Sequence, residues 1–390
     1  MADPLLVGGV VLACFVAFNI GGSTTGPAFG PAIGADVISK TAAGGLMAVA
    51  FFFGAYTIGR RVVDTLGKEL VHDPSVFTLE SSIIVLFFIG GALLIGNLSG
   101  APASTSMTAV GAIIGLALAA GELNHAVIGE ILAWWILSPI IGFWMAVMIG
   151  RYWYRDLDRL VAIEQSEGPL VTTERQGRVP RLTLGPNTTR REFVGTAVLI
   201  AIGCLMAFSS GTSNIANAIA PLVGSGAIDM NPAILVGSAA VAVGALTIAR
   251  RTMETLGNDI TELPLTAAIV VAVLSSTIVT LLSLLGIPAS FVVVATVCIV
   301  GLGWGRSTHA VSFADAVRGE VSPDVSLDAL TEDSGTPTVG ETGKRTASTG
   351  PSQSELFDPG TTVRVVLMQN VVPILATLGS YLTFLVLNVV

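Results

Sequence analysis

Hydroxyl and amide side chains stand inside two stretches crowded with Gly and Pro, where neutral hydrogen-bond donors sit beside potential helix breaks. The first reads Phe18-Asn19-Ile20-Gly21-Gly22-Ser23-Thr24-Thr25-Gly26-Pro27-Ala28-Phe29-Gly30-Pro31. The second reads Gly211-Thr212-Ser213-Asn214-Ile215-Ala216-Asn217-Ala218-Ile219-Ala220-Pro221; Gly21, Ser23, Ala28 and Pro31 recur in it 190 positions later, and Phe18 recurs just before it as Phe208. Gly lets a backbone unwind, Pro can open a new helical segment, and the free amides of a helix start carry partial positive charge. Ser23, Thr24 and Thr25 in the first copy, with Ser213, Asn214 and Asn217 in the second, add donors without the cost of a buried charge. Two such segments facing each other would enclose a small oxyanion. A further repeated element, Gly100-Ala101-Pro102-Ala103-Ser104, returns as Gly286-Ile287-Pro288-Ala289-Ser290. Ser104, Thr105 and Ser106 follow the first Pro, whereas Phe291 and Val292 follow Ser290, so the first half should supply more of these contacts. Single Ser and Thr hydroxyls in helices commonly bond back to their own backbone, and the paired setting is what points to a ligand.

Acidic residues form a third duplicated element. Arg60-Arg61-x-x-Asp64-Thr65-Leu66-Gly67 returns as Arg250-Arg251-x-x-Glu254-Thr255-Leu256-Gly257. Two readings stand side by side. Within the bilayer, Asp64 and Glu254, with Asn19 as a further candidate, would couple transport to a cation; at its edge the acids would be ion-paired to neighbouring arginines. Cys14, Cys204 and Cys298 show no CxxC spacing and read as small buried residues, and His72, His125 and His309 lack metal-ligand spacing. No nucleotide-binding motif or Ser-His-Asp grouping appears, so the chain reads as neither an enzyme nor a nucleic-acid binder, and needs no cofactor beyond a coupling sodium ion or proton.

These elements must be positioned by membrane helices. With 52% apolar and 12% charged residues, the chain has too little polar surface to cover a soluble globule. The expectation is an all-α polytopic protein of the cell membrane, with its partners the lipid bilayer and a small anion. Its two inverted repeats would carry discontinuous helices and re-entrant hairpins, in about ten to twelve membrane segments. Residues 1–150 form the first repeat, 151–192 a linker, 193–305 the second repeat, 306–362 an acidic insertion with the composition of disorder, and 363–390 the final helix. Arg151, Arg155, Arg190 and Arg191 flank the linker, and Arg306 and Arg364 the insertion, which places both long loops in the cytoplasm by the positive-inside rule. A passive anion channel is the alternative of another class.

At these positions the sequence resembles the inorganic phosphate transporter family, whose duplicated signature reads approximately GANDVANAxGP. Gly211 to Pro221 follows that signature, Gly59 to Leu66 follows its GxxVxETI element with Asp64 for Glu, and Pro102 to Ser106 follows its PxSTT element. The resemblance implies the fold of a secondary transporter, import of a tetrahedral anion, and a dimer. The signature Asn-Asp pair becomes Ser23-Thr24 and Ser213-Asn214, and Asn217 has Pro27 as its counterpart. Losing both carboxylates resembles the sulfate-permease branch. Sulfate carries no proton, so donors alone satisfy it, whereas phosphate near neutral pH keeps one or two protons and benefits from an acceptor. Sulfate is therefore the expected substrate, with phosphate as the alternative if the lost acids had served only cation coupling.

Overall fold

The computed structural model describes residues 3–34, 37–98, 104–161, 171–174, 181–184, 189–259, 264–307 and 359–387. These are nearly all helix, because in lipid each backbone amide and carbonyl must find its partner within its own segment. In the first copy α1 (Pro4–Gly34) leads to α2 (Lys40–Gly54) and α3 (Arg60–Asp64), with π-helical turns at Ala55–Gly59 and Thr65–Glu69. Then come α4 (Leu79–Leu98), α5 (Thr105–Ala120) and α6 (His125–Tyr152). The linker carries α7 (Tyr154–Val161) and an antiparallel hairpin of β1 (Val171–Glu174) and β2 (Arg181–Leu184). The second copy holds α8 (Arg190–Gly224), α9 (Met230–Asp259), α10 (Leu265–Leu284), α11 (Phe291–Ser307) and α12 (Pro359–Leu387). Most of the acidic insertion lies outside the described residues.

The duplication read from the sequence governs the architecture. α9 occupies the run Lys40–Glu69 displaced by 190 residues, and α4 and α10 are 20-residue helices displaced by 186. Among the described residues eight helices are long and apolar enough to cross a bilayer, and the two shorter apolar ones, α5 and α11, hold equivalent places in the two copies. A short helix behind a chain break, repeated in both halves, is the pattern of a discontinuous membrane segment.

The break does not fall where the Gly-rich stretches placed it. Both stretches lie inside unbroken helices, α1 and α8. Two local facts explain this. The hydroxyls of Thr24 and Thr25 bond back to the carbonyls of Ile20 and Gly21, each at 2.7 Å, which supports the turn they sit in. The glycines, meanwhile, let other helices approach rather than letting their own unwind. A Cβ on Gly21 would overlap the Val241 carbonyl, one on Gly211 the Phe51 carbonyl, one on Gly54 the Phe208 carbonyl, and one on Gly244 the Phe18 carbonyl. Small residues at crossings are how membrane helices gain packing when lipid offers no hydrophobic drive. The four contacts are reciprocal: α1 crosses α9, α8 crosses α2, and each glycine has its counterpart 190 positions away. α5 against α12 and α6 against α11 repeat the exchange, with Gly115 on the Thr377 carbonyl and Gly301 on the Phe143 carbonyl.

Candidate functional site

Two helix starts and the middle of α8 meet in the interior. α5 opens with Ser104, whose Oγ accepts the Met107 N–H at 3.2 Å; α11 opens with Ser290, whose Oγ accepts the Val293 N–H at 3.3 Å. These serines are N-caps. The amides of Thr105 and Ser106, and of Phe291 and Val292, lie in first turns with no carbonyl of their own helix to bind, so both starts carry partial positive charge.

Against them α8 presents Ser213, Asn214 and Asn217, which are 1%, 4% and 0% exposed. Thr105 Oγ1 donates to Asn214 Oδ1 at 2.5 Å, and Asn217 Nδ2 donates to the same oxygen at 3.1 Å. Asn214 Nδ2 in turn donates to Ser210 Oγ at 3.0 Å. Ser106 Oγ and Ser213 Oγ both donate to the Ala289 carbonyl, at 3.0 and 2.8 Å, and Ser213 Oγ accepts the Ala289 N–H at 3.1 Å. The first copy thus supplies the Thr105 and Ser106 hydroxyls to this cluster, and the second supplies the amides and the Ser213 hydroxyl. Asn217 Oδ1 is buried without a partner, and Pro221 has no N–H to give the Asn217 carbonyl.

The connection before α11 is clamped by the first copy. Trp135 Nε1 donates to the Pro288 carbonyl at 2.7 Å, and Arg61 Nη1 to the Leu284 carbonyl at 2.5 Å. Gly286 has φ of 79°, and a Cβ there would lie 2.7 Å from Thr65 Oγ1. The Arg-Arg-x-x-Asp-Thr element therefore grips the segment that carries Ala289 and Ser290. None of Ser210, Trp135, Arg61, Thr65 and the Ala289 backbone was singled out as a site residue from the sequence. An indole N–H in an apolar run seeks an acceptor and gave some signal, but a backbone carbonyl gives none.

Other expected site residues lie elsewhere. Ser23, Thr24 and Thr25 bond to their own helix, Ser23 Oγ reaching the Ile20 carbonyl at 3.2 Å. Buried Asn19 accepts from Asn97 Nδ2 at 3.1 Å and donates to the Phe15 carbonyl. Asp64 lies outside the buried cluster: it pairs with Lys68 at 2.7 Å, a lysine rather than an arginine, and its side chain is 42% exposed. Glu254 is on α9, its side chain outside the described residues. Among the described residues no carboxylate enters the buried cluster. Chemically the cluster offers hydroxyl and amide donors at two positive helix starts, together with one free acceptor.

An interior polar cluster at paired half-helices, inside a bundle of crossing spans, is the construction of a multi-pass membrane transporter. The solved structure titled the sodium-dependent phosphate transporter shares this fold, with a TM-score of 0.67 over 100% of both chains at 18% identity. The pattern of the Phosphate transporter family matches residues 20–321, and the chain belongs to that family. Among curated relatives, the sulfate permease CysP of Bacillus subtilis is 30% identical over 76% of this chain and 77% of its own. A protein named a phosphate permease from Pyrococcus furiosus is 25% identical over 80% of this chain and 90% of its own.

Proposed function

We propose that the chain imports sulfate by cation-coupled symport with alternating access, binding the anion at the starts of α5 and α11 against α8. The observation that carries this reading is a buried cluster of hydroxyls and amides that, among the described residues, contains no carboxylate. Its donors now bond to one another and to the Ala289 carbonyl, so a bound oxyanion would replace those bonds with its own oxygens rather than enter an empty hole. Sulfate can accept from every one of them and has no proton left to place. The likeness to a sulfate permease at 30% identity supports the same choice.

Carrying a dianion inward against 100 mV costs about 4.6 kcal/mol, which requires a driving ion, sodium or a proton. Asn217 Oδ1 and the carbonyl that Pro221 leaves without its helix donor are the buried acceptors suited to a cation. Asp64 in its half-exposed pair is better placed to hold the clamp. The reading includes inverted repeats with both long loops cytoplasmic, and a homodimer. The same Asn217 oxygen favours one second reading, hydrogen phosphate, whose proton it would accept.

Labelled sulfate uptake into proteoliposomes, under an imposed sodium or proton gradient and with excess unlabelled phosphate, tests the proposal. Gradient-driven sulfate entry that resists phosphate supports it. Labelled phosphate entering while sulfate does not would establish the second reading, and flux that never exceeds equilibrium would make the protein a channel.

A further inference from the structure

Away from the α5–α8 cluster, the ends of α6 and α11 bring a half-buried guanidinium and a buried phenol together. Gly150 packs against the Leu302 carbonyl and the Arg306 amide, which draws the two helix ends into contact. The Arg306 guanidinium lies over the Tyr154 ring, 4.4 Å from its centroid. Tyr154 is 8% exposed and its hydroxyl has no partner; Arg306 Nη1 is likewise buried without one. Burial pushes the Tyr154 phenol up in pKa, so it remains a donor. Unsatisfied buried donors are uncommon enough to need a reason, and here two of them belong to side chains in direct contact.

The surroundings indicate which ligand would satisfy them. Tyr152, Trp153 and Trp304 are each more than half exposed at this same level, as aromatic rings are at a membrane–water boundary. Arg151 in the last turn of α6 adds positive charge. Of the carboxylates of α7, exposed Asp156 pairs with Arg159 at 4.0 Å, while Asp158 accepts from Thr266 Oγ1 at 2.7 Å and its charge also acts on Tyr154, so Arg306 and Arg151 set two positive charges against one nearby negative one. A ligand reaching this place from the bilayer must present oxygen acceptors and negative charge to one planar guanidinium and one hydroxyl, a demand met by a phosphodiester.

We propose that Arg306 and Tyr154 hold the phosphate group of an anionic membrane lipid at the ends of α6 and α11, at a site separate from that of the transported anion. The lipid's chains would lie along Trp153 and Trp304, and its phosphate would tie the linker helix α7 to the half-helix α11.

Thermal unfolding of the purified protein in neutral detergent tests this, titrated separately with short-chain phosphatidylglycerol, phosphatidylcholine of equal chain length, and inorganic phosphate. The expected result is stabilisation by phosphatidylglycerol beyond that from phosphatidylcholine, with the lipid affinity falling at least about tenfold in R306Q and Y154F. Stabilisation by inorganic phosphate that both variants retain would belong to the transport site and leave the lipid result as the test. Inorganic phosphate losing its effect in both variants would assign the site to free anion and overturn the lipid. Equal response of wild type and variants to phosphatidylglycerol would overturn the site itself. Y154F, which removes one oxygen atom, decides the matter if R306Q does not fold.

Discussion

Gly286→Ala tests the clamp that joins the duplicated acidic element to the proposed anion site. Two costs follow from the geometry. At φ of 79° an alanine is held in the left-handed region, which costs about 1–2 kcal/mol. Its Cβ would also stand 2.7 Å from Thr65 Oγ1, so the hydroxyl must retreat by roughly half an ångström or more to reach ordinary contact. Thr65 Oγ1 bonds the Arg61 carbonyl and Glu69 Oε2, each at 3.1 Å, and disturbing those bonds adds about 1 kcal/mol. The sum, about 2–3 kcal/mol, should lower the thermal midpoint of the purified protein. Because the displaced segment carries Ala289, anion uptake should fall as well. Thr65→Ala removes the obstacle but not the backbone strain, so the double variant should recover the contact portion and no more. A double-mutant cycle with no coupling between the two positions would refute the clamp.

Four further outcomes are expected. Gly211→Ala should cost about 1–3 kcal/mol because its Cβ meets the Phe51 carbonyl, whereas Gly45→Ala, with nothing within 4 Å, should gain up to about 1 kcal/mol; detergent melting curves distinguish the two. Ser106→Ala breaks the bond to the Ala289 carbonyl and removes one of the donors proposed for the anion, and should reduce uptake at least about tenfold with the protein still folded, as checked by size-exclusion profile and initial rate. Asn214→Asp keeps the oxygen that Thr105 and Asn217 bond and adds a negative charge, so competition assays should show sulfate affinity falling more than phosphate affinity. Asp73 accepts the Ser75 N–H at 2.9 Å, which holds its carboxyl below the ordinary range; the turn therefore keeps this cap at neutral pH and loses it as pH falls through that lowered value, as faster exchange of the Ser75 amide, corrected for intrinsic rate, would show.

Much of the architecture was legible because duplication leaves a constant offset, and helices that obey the offset in sequence obey it in space. Thr105, Ser106, Ser213, Asn214 and Asn217 could be picked out as candidates from their paired, Gly- and Pro-rich settings, but the same settings also picked out Ser23, Thr24 and Thr25, whose hydroxyls bond back to their own helix. The Gly-rich stretches misled for a definite reason. Composition shows that a glycine lacks a side chain, but whether that freedom unwinds its own helix or admits another depends on Val241 or Phe51, which lie far along the chain. Ser104 and Ser290 differ from Ser106 only in register, two positions along the chain deciding between a cap and an interior donor. The π-helical turns around Arg60–Asp64 had no signature in the residue pattern.

The reciprocal glycine crossings bear on how such a machine can move. Because α1 is seated on α9 and α8 on α2, with α5 on α12 and α6 on α11, each copy is clasped by the other like interlaced fingers. A hinge drawn between residues 1–150 and the rest would have to pull carbonyls out of glycine notches at every crossing. In the proposed alternating access, the parts that move past one another would instead be mixed bodies, each built from both copies, with the join in the sequence not a joint in the protein. Either copy synthesised alone would display rows of open notches, so the two should become stable only once they have closed on each other.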